Sequence, residues 1–475
     1  MNLNGAELFK LTGKQKLLTQ YARDVLDSDI AGISTDSRKF KKGQLFIALK
    51  GNKFDGNDFV DDVFKKGAIG AIVSKTKDPR LLLARQRWAG GQERLKTKDH
   101  SPLVTRHFII AVPDTLKTLG DIALYYRGKF DIPVIAVTGS CGKTTTKEII
   151  YTLLCLKYKV LKTEGNYNNF IGLPLTIFNM NGEHDAVVME MGMSHAGEMR
   201  RLATIARPDI AVITNVGKAH FGFFNSLDDI AKAKAEILET CPPPKFCVLN
   251  RDDGFFRYFS SRTKAKIITF GINKKSHFRA EKITFDSLGK ASFYLNGKIK
   301  VKTPFLGVGN IYNVLASFAV ASLKGIEIKQ AVSALFDVKL PSGRANLYGI
   351  KGFYILDDSY NANPSSIVDL VRTIDKISIR GKKIILLGEM LELGKYSRGE
   401  HIKLAKLISA SSVDILIATG CETKYTAKNI FGNKKVWYFD DKNEAKKKLE
   451  SLLNKGDLLA VKGSRATEME KLLPI

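Results

Sequence analysis

The stretch VIAVTGSCGKTTTKEII, residues 134–150, decides the fold. An apolar, strand-like run ends at Thr138, and two glycines then let the backbone curl so that its amides point inward before a helix opens at Lys143. Backbone amides at the positive end of a helix dipole form a site for phosphate. We therefore predict a nucleotide-phosphate loop made of Thr138, Gly139, Ser140, Cys141, Gly142, Lys143 and Thr144.

This loop is a compressed variant of the usual phosphate-binding pattern. The full pattern G-x-x-x-x-G-K-[ST] is not met, because Val137 stands five residues before Gly142. We expect Lys143 to neutralise the terminal phosphates and the Thr144 hydroxyl to reach a magnesium ion. The alternative is an ordinary glycine turn before a helix, but GKT directly after an apolar strand favours the nucleotide site.

Length and composition set the class of protein. The 475 residues predict about three domains, and 44% hydrophobic with 26% charged residues exclude a wholly disordered chain. No run is long and apolar enough for a membrane-spanning helix, and the first residues show no secretory signal. The five cysteines lack zinc-binding or CxxC spacing, which indicates reduced thiols in the cytoplasm.

The net charge is 75 − 48 = +27. Such a charge suits nucleic acid or anionic small substrates, or it reflects a lysine-rich composition. Lysine is spread along the chain rather than gathered in one arm, which favours the last interpretation. Charge alone does not define the function.

Strand-like runs alternate with amphipathic helical stretches, which favours parallel α/β layers. We predict an N-terminal domain over 1–130, a central ATP-binding domain over 131–337 and a C-terminal domain over 338–475. Residues 75–106 carry nine Lys or Arg against three Asp or Glu, and we interpret them as a solvated insertion, with an electrostatic contact patch as the alternative. Residues 282–301 predict a β meander.

A nucleotide-phosphate site needs a divalent cation, so acidic side chains should follow other strands. Glu190 stands at the exit of the apolar run 186–189, where a carboxylate suits a metal ligand. Asn215 and His220 follow the next strand, although a lone histidine is often structural.

Four further positions leave two interpretations open. Lys234, in the helical stretch DDIAKAKAEIL, is by itself a solvated lysine. Asp357 and Asp358 end a strand and suit a ribose hydroxyl or a cation. Arg344 follows Pro-Ser-Gly and either clamps phosphate from a moving domain or is a surface arginine. Lys462-Gly-Ser-Arg465 either holds a substrate carboxylate or is a solvated loop.

A set of segments in a fixed order resembles the Mur ligases. The segments are TGSCGKTTTKE (138–148), GNYNNFIGLPLT (165–176), MEMGMSHAGEM (189–199), TNVGKAHFG (214–222), AKAKAEIL (231–238), LPSGR (340–344), DDSYNANP (357–364), LGEMLELG (387–394) and VKGSRATEME (461–470). The resemblance covers nearly the whole chain, the basic insertion excepted. The Asp-Asn-Pro-Arg signature of the diaminopimelate-adding member is absent, and the motifs look like those of the member that adds D-alanyl-D-alanine.

The resemblance implies an α/β ligase of three domains: an α/β UDP-binding domain, a central parallel-sheet ATPase-type domain and a Rossmann-like C-terminal domain. The first would hold the UDP end of the precursor, and Asn57 stands where the family usually has histidine. Gly309 likewise replaces a usual histidine. The implied substrate-binding residues are Ser37, Arg38, Asp55, Asn166, Asn169, Tyr360 and Asn361.

The resemblance also implies the ligands of ATP and magnesium. Two Mg²⁺ ions would be held with the help of Thr144, Glu190 and His220, and Lys234 matches a lysine that is carbamylated in several relatives. Asn313 matches an adenine-side asparagine, and Arg344 and Asp358 match residues that close over ATP. The implied catalytic residues are Lys143, His220, Lys234 and Arg344.

The implied reaction is the ATP-dependent joining of UDP-N-acetylmuramoyl-tripeptide and D-alanyl-D-alanine in peptidoglycan synthesis, through an acyl phosphate. We expect a cytoplasmic monomer without a nucleic-acid partner. Two alternatives are another Mur or folylpolyglutamate-type ligase with a different amino-acid donor, and a nucleic-acid-binding P-loop ATPase. The segments DDSYNANP and LGEMLELG disfavour the folate enzyme, and the sequence lacks a base-stacking aromatic motif that would support the nucleic-acid protein.

Overall fold

The computed structural model describes residues 1, 3–13, 29–74 and 107–474. The basic stretch 75–106, interpreted above as an insertion, lies outside the described residues. The chain forms two compact units, Met1–Asp131 with Phe170–Glu183, and Ile132–Asn169 with His184–Ile475.

The first unit contains a four-stranded parallel sheet of order β1-β2-β3-β4. Its core forms where helix α2 packs on the sheet, with Phe46, Val60 and Val63 buried. The strands are β1 (Ile33–Ser34), β2 (Leu45–Ile47), β3 (Gly70–Ser74) and β4 (Phe108–Val112). The helices are α1 (Gly5–Leu11), α2 (Val60–Lys65), α3 (Thr115–Arg127) and α5 (Gly172–Ile177).

The second unit begins with a nine-stranded sheet of order β13-β12-β11-β10-β9-β8-β5-β7-β6. Its strands are β5 (Val134–Thr138), β6 (Val160–Lys162), β7 (Ala186–Glu190), β8 (Ile210–Ile213), β9 (Phe246–Asn250), β10 (Lys266–Gly271), β11 (Phe278–Phe285), β12 (Lys290–Leu295) and β13 (Ile299–Leu306). Strands β5 to β10 pair in parallel, and β11, β12 and β13 pair antiparallel as the predicted meander.

The order of the central strands positions the site. Strand β5 is buried along its whole length, as expected for a parallel strand covered on both faces, and it lies between β7 and β8. The carboxyl ends of parallel strands meet at one edge of a sheet. Thr138, Glu190 and Thr214 therefore leave their strands at the same edge, where helix α4 (Lys143–Leu154) begins.

The third sheet has six strands in the order β14-β15-β19-β16-β17-β18, and only β14 pairs antiparallel. The strands are β14 (Asn346–Ile350), β15 (Phe353–Asp357), β16 (Lys383–Leu387), β17 (Ile415–Thr419), β18 (Lys435–Phe439) and β19 (Leu458–Lys462). The remaining helices of the second unit are α6 (Glu198–Ala206), α7 (Leu227–Ala235), α8 (Phe256–Ser261), α9 (Gly307–Leu323), α10 (Ile328–Ala334), α11 (Pro364–Lys376), α12 (Ser397–Ser409), α13 (Thr423–Lys428) and α14 (Lys442–Leu452). Among the described residues, no helix is long and apolar enough to cross a membrane.

Candidate active site

The loop after β5 adopts a shape that only glycine permits at two positions. Gly139 has φ 151°, and a β-carbon there would lie 1.8 Å from Thr214 Oγ1. Gly142 has φ 79°, and its β-carbon would lie 2.3 Å from Asn313 Oδ1. Any side chain at either position would displace the loop from the end of β8 or from helix α9.

Asn215, two residues after the end of β8, holds this loop through hydrogen bonds. Its Oδ1 accepts a hydrogen bond from the Cys141 amide at 2.9 Å, and its carbonyl accepts one from the Ser140 amide at 3.0 Å. The prediction that the loop amides point inward is therefore wrong for Ser140 and Cys141. The first amides of α4, which have no acceptor within a helix, remain available to an anion, and the N-cap Gly142 brings no side chain to them.

The Lys143 side chain folds back onto the predicted phosphate loop. Its Nζ donates to Gly139 O at 2.8 Å. Burial lowers the pKa of Lys143, and the Glu190 carboxylate opposes that shift. A half-buried ammonium near a carboxylate gains from an anionic ligand, since it has lost part of its hydration.

Glu190 has one carboxylate oxygen that the protein leaves free. The side chain is 2% exposed, and its Oε1 accepts a hydrogen bond from Asn168 Nδ2 at 2.7 Å. Its Oε2 is buried and has no hydrogen-bond partner within the described part of the chain. Sequence reasoning selected Asn166 and Asn169 in this segment, both exposed, and missed Asn168.

The buried Oε2 of Glu190, which has no hydrogen-bond partner among the described residues, is suited to binding a divalent cation. Residues 1, 3–13, 29–74 and 107–474 contain no group of three or more His, Cys, Asp or Glu side chains able to hold a metal. Magnesium characteristically takes one or two protein carboxylates and completes its shell with phosphates and water. The free oxygen of Glu190 therefore has the chemistry of a magnesium ligand, for an ion whose other ligands come from a nucleotide.

His220 contacts the C-terminal part of the chain. Its Nδ1 lies 2.7 Å from Glu392 Oε2, and this contact holds the pKa of the Glu392 carboxyl below its usual range. Sequence reasoning missed Glu392, although it stands in the quoted segment LGEMLELG.

Segments 214–222 and 387–400 pack closely around this pair. The amide of Gly222 donates to Glu392 O at 2.7 Å, and a β-carbon on Gly222 would lie 2.8 Å from that same oxygen. The rings of Phe221 and Tyr396 lie 4.4 Å apart, and Lys218 Nζ lies 2.7 Å from Glu400 Oε1. The C-terminal sheet is thus docked against the strand exits that carry the phosphate loop.

Arg344 is part of the site and not a surface arginine. Its Nη2 donates to Thr144 Oγ1 at 3.0 Å, and its guanidinium lies 3.8 Å from the ring centroid of Tyr360. Its Nε is buried and has no hydrogen-bond partner among the described residues. These contacts are compatible with the predicted phosphate clamp, which stays a prediction.

The buried Lys462 pairs with the half-buried Asp358 at the edge of the same site. Lys462 is 1% exposed and donates to an Asp358 carboxylate oxygen and, at 3.0 Å, to Asn361 O. The interpretation of Lys462 as part of a solvated loop is wrong, because β19 lies in the middle of its sheet. Asp357 is buried and accepts from the amide and hydroxyl of Ser359.

Lys234 is also buried, so its interpretation as a solvated lysine is wrong. It is 4% exposed, and burial, followed by the charge of Lys143, holds its pKa well below the usual range. Lys234 lies four residues after the buried Ile230 on α7. That helical spacing places both side chains on one face and was a usable signal.

Asn313 connects the phosphate loop to helix α9. Its Oδ1 accepts a hydrogen bond from Thr146 Oγ1 at 3.2 Å, and its Nδ2 donates to Asn310 Oδ1 at 2.9 Å.

The predicted substrate residues of the first unit form a separate set. The guanidinium of Arg38 binds Asp36 through Nε at 2.9 Å and Nη2 at 2.8 Å, and that contact lowers the pKa of Asp36 to about 2. The Ser37 carbonyl accepts from Lys66 Nζ at 2.6 Å. Asp55 accepts from the amide of Asn57 at 2.9 Å.

Comparison with known proteins identifies the family. The family model of the Mur ligase middle domain matches residues 137–321, that of the Mur ligase glutamate ligase domain matches 343–465, and that of the Mur ligase catalytic domain matches 29–127. The chain belongs to the Mur ligase family, and it is an ATP-dependent ligase with the predicted three-domain α/β architecture.

The relatives that the chain matches along most of its length include the following proteins. UDP-N-acetylmuramoyl-tripeptide–D-alanyl-D-alanine ligase of Bacillus subtilis is 32% identical over 94% of this chain and 92% of its own length. The crystal structure of MurF from Acinetobacter baumannii superimposes with a TM-score of 0.84 at 29% identity, over 99% of this chain and 97% of that one. MurF ligase from Thermotoga maritima in complex with ADP has a TM-score of 0.77 at 29% identity, over 94% of this chain and 97% of that one.

Proposed function

We propose that this enzyme joins D-alanyl-D-alanine to UDP-N-acetylmuramoyl-tripeptide at the expense of ATP, as the name of its relatives states. The observation that carries the proposal is the contact of Arg344 with Thr144, because it brings a C-terminal cation onto a phosphate loop. The assigned cellular process is peptidoglycan precursor synthesis.

The first step transfers the γ-phosphoryl group. A carboxylate oxygen of the tripeptide attacks the γ-phosphorus, the bond from that phosphorus to the β,γ-bridging oxygen breaks, and ADP leaves. The product is an acyl phosphate, in which the former carboxylate oxygen has become part of a good leaving group.

The second step forms the amide. The free amine of D-alanyl-D-alanine attacks the acyl carbonyl, the amine loses a proton, and inorganic phosphate leaves with the carbon–oxygen bond electrons. Water would hydrolyse the acyl phosphate, so a closed site protects it. The docking of segments 214–222 and 387–400 supports the proposal of such a closed site.

The main barrier that the protein lowers is electrostatic. Two unit negative charges about 4 Å apart repel by about 4 kcal/mol at an effective dielectric constant of about 20. Lys143 and Arg344 approach the loop from two sides and offset this repulsion. Preorganised cations of this kind act mostly on the transition state.

Magnesium is part of the proposal. Thr144 and Glu190 would hold it, with His220 as the third group assigned from the sequence, and the ion would neutralise phosphate charge. The free Oε2 of Glu190 supports this assignment. Whether a second ion binds depends on the state of Lys234.

We include carbamylation of Lys234 in the proposal. Carbon dioxide reacts with a neutral amine to give a carbamate and a proton, and the lowered pKa of Lys234 favours the neutral amine. A mass increase of one CO₂ on the native protein, lost in Lys234→Met, would support the assignment. An unmodified native chain with full activity would contradict it.

The proposal also assigns substrate-binding residues, domain boundaries, an oligomeric state and a cellular location. The UDP end of the precursor is assigned to Ser37, Arg38 and Asp55, and the peptide parts to the segments that contain Asn166, Asn169, Tyr360 and Asn361. The proposal also includes the domain boundaries 1–130, 131–337 and 338–475. We place a monomeric enzyme in the cytoplasm, where free thiols such as the five of this chain persist.

Phosphate release tests the reaction directly. The enzyme is mixed with ATP, Mg²⁺ and UDP-N-acetylmuramoyl-tripeptide, with and without D-alanyl-D-alanine, and phosphate and ligated product are quantified. We expect both to depend on the dipeptide. Release supported equally by a single amino acid, or by folate with glutamate, would overturn the choice of substrate, and release stimulated by polynucleotide would favour the nucleic-acid ATPase.

A further inference from the structure

Gly309 and Asp369 share one small space between two helices. Gly309 lies in the first turn of α9, and Asp369 lies on α11 in the C-terminal part of the chain. A β-carbon on Gly309 would lie 3.1 Å from Asp369 Oδ2. A larger side chain at 309, such as the histidine usual in the family, would therefore compete with this carboxylate for the same volume.

Asp369 is an exposed residue whose carboxylate lies against the first turn of α9. Loss of hydration there raises its pKa, while the charges of Arg372 and Lys462 favour the ionised form. Within the described residues, its side-chain oxygens accept no protein hydrogen bond, so the acceptor capacity of a carboxylate is unused.

Its neighbours belong to the ATP site. The charge of Asp369, after burial, is the largest influence that raises the pKa of Cys141 in the phosphate loop. The N-cap of α11, Asn363, accepts a contact from Cys141 Sγ at 3.4 Å. Asn313, assigned to the adenine side, lies four residues after Gly309 and hence on the same face of α9.

We propose that Asp369 accepts a hydrogen bond from the nucleoside half of ATP and that Gly309 is glycine because this carboxylate occupies the space beside it. The inference rests on the proposed function. Phosphate oxygens carry no proton at neutral pH and repel a carboxylate, so they are excluded as partners. The donor is an N–H or O–H of the nucleoside, either the adenine 6-amino group or a ribose hydroxyl.

The position of Asp369 gives this contact a second property. The carboxylate belongs to α11, whereas the phosphate loop and Asn313 belong to the nine-stranded sheet and its helices. The nucleoside contact therefore forms only when the C-terminal sheet is docked as it is here. Recognition of the nucleoside is therefore coupled to closure of the C-terminal sheet. In this way the binding energy of the correct nucleotide helps to assemble the catalytic site.

A structural role is the competing explanation. Helix α9 has no side-chain cap at its N-terminus, and a carboxylate near that end stabilises a helix. A helix-stabilising Asp369 would affect folding but would not distinguish one nucleotide from another. The experiment must therefore compare nucleotides and not only variants.

The test uses the full-length enzyme and four nucleotides: ATP, purine riboside triphosphate, 2′-deoxy-ATP and 3′-deoxy-ATP. Ligation kinetics are measured for the wild type, Asp369→Asn and Asp369→Ala, with exposed Glu450→Gln as a charge-matched control. A hydrogen bond to a charged group corresponds to a loss of roughly 10- to 100-fold. We expect each Asp369 variant to raise KM for ATP by about that factor while kcat changes far less.

The analogues identify the donor. For the wild type, the analogue that lacks the bonded group should show the same penalty, and in Asp369→Ala that penalty should vanish. An unchanged KM for ATP, or analogue penalties that are equal in wild type and variant, would overturn the proposal. If the wild type does not ligate the dipeptide at all, the proposed function fails instead, so the two failures are distinguishable.

Gly309→Ala gives an independent measurement. The added methyl group would lie 3.1 Å from Asp369 Oδ2 and would push the carboxylate aside slightly. We therefore expect a higher KM for ATP in the wild-type background and little effect in Asp369→Ala. Equal effects in both backgrounds would contradict the proposed link between the two residues.

Discussion

Arg344 and Thr144, 200 positions apart in the chain, are joined by a 3.0 Å hydrogen bond from the guanidinium to the hydroxyl. The arginine follows a Pro-Ser-Gly segment, and the threonine is in the first turn of the phosphate-loop helix. This contact links the C-terminal sheet to the group that would bind the nucleotide.

Replacement of Arg344 tests the contact. We expect Arg344→Ala to lower kcat by roughly 10²- to 10³-fold with a modest change in ATP affinity, because a preorganised cation acts on charge that develops in the transition state. Arg344→Lys keeps the charge but not the fork of donors and should recover only part of the rate. Exposed Arg380→Ala is the matched control, and unchanged turnover in Arg344→Ala would contradict the assigned role.

Lys143 supplies a second prediction. Lys143→Ala should abolish ATP-dependent ligation while the far-ultraviolet circular dichroism spectrum stays that of the wild type, since the side chain donates a single hydrogen bond within the described residues, to the loop carbonyl of Gly139. Exposed Lys159→Ala serves as the control, because it removes the same charge elsewhere. Undiminished product formation by Lys143→Ala would refute the nucleotide-loop assignment.

We predict that Glu392 positions His220 through the contact between segments 214–222 and 387–400. Replacing Glu392 should therefore affect the reaction rate. We expect Glu392→Gln to lower kcat by about tenfold, equivalent to about 1.4 kcal/mol, since the 2.7 Å contact loses its charge. The structural alternative predicts a lower melting temperature with normal kinetics. A shifted pH profile of kcat with an unchanged melting temperature would support positioning, and wild-type kinetics throughout would exclude it.

His401 predicts how stability depends on pH. It is fully buried, its Nδ1 lies 2.9 Å from Thr426 Oγ1, and burial lowers its pKa to about 4. Between about pH 6.5 and pH 4 the unfolded chain binds a proton that the folded chain excludes, so stability falls as the pH falls, by about 1.4 kcal/mol per pH unit. The total loss from this residue approaches about 3 kcal/mol.

The check is the pH dependence of thermal unfolding. His401→Asn keeps a donor for Thr426 and removes the titrating ring, so the loss of stability between pH 6.5 and pH 4 should become shallower. Exposed His195→Asn should keep the wild-type slope. Identical slopes for His401→Asn and the wild type would show that other groups dominate acid sensitivity.

The sequence was most informative where local pattern and chemistry coincide. Apolar runs ending in Thr138 and Glu190 predicted strands that the structure places side by side, and the GKT segment predicted the helix start at Lys143. Both features depend on neighbours in the chain, so short-range rules capture them.

The parts that sequence reasoning missed depend on distant pairings. Glu392 acquires its role only because its segment packs on His220, and Asn168 acquires its role from Glu190, 22 residues away. Lys462 is different, since its burial follows from the central place of β19 in a sheet order that no local pattern reveals. The order of the strands, and not their existence, was the missing information.

The close approach of Gly222 to the backbone of Glu392 and Gly394 has a practical consequence. A methyl group at residue 222 would lie 2.8 Å from Glu392 O and 2.9 Å from Gly394 N. Because these are backbone atoms, they cannot rotate aside as a side chain can, so the methyl group would push segments 214–222 and 387–400 apart. Gly222→Ala should thus yield a ligase that binds its substrates but closes incompletely, so that water reaches and hydrolyses the acyl phosphate. Such a variant would hydrolyse ATP without forming the amide bond, so the first step of the reaction could be measured on its own.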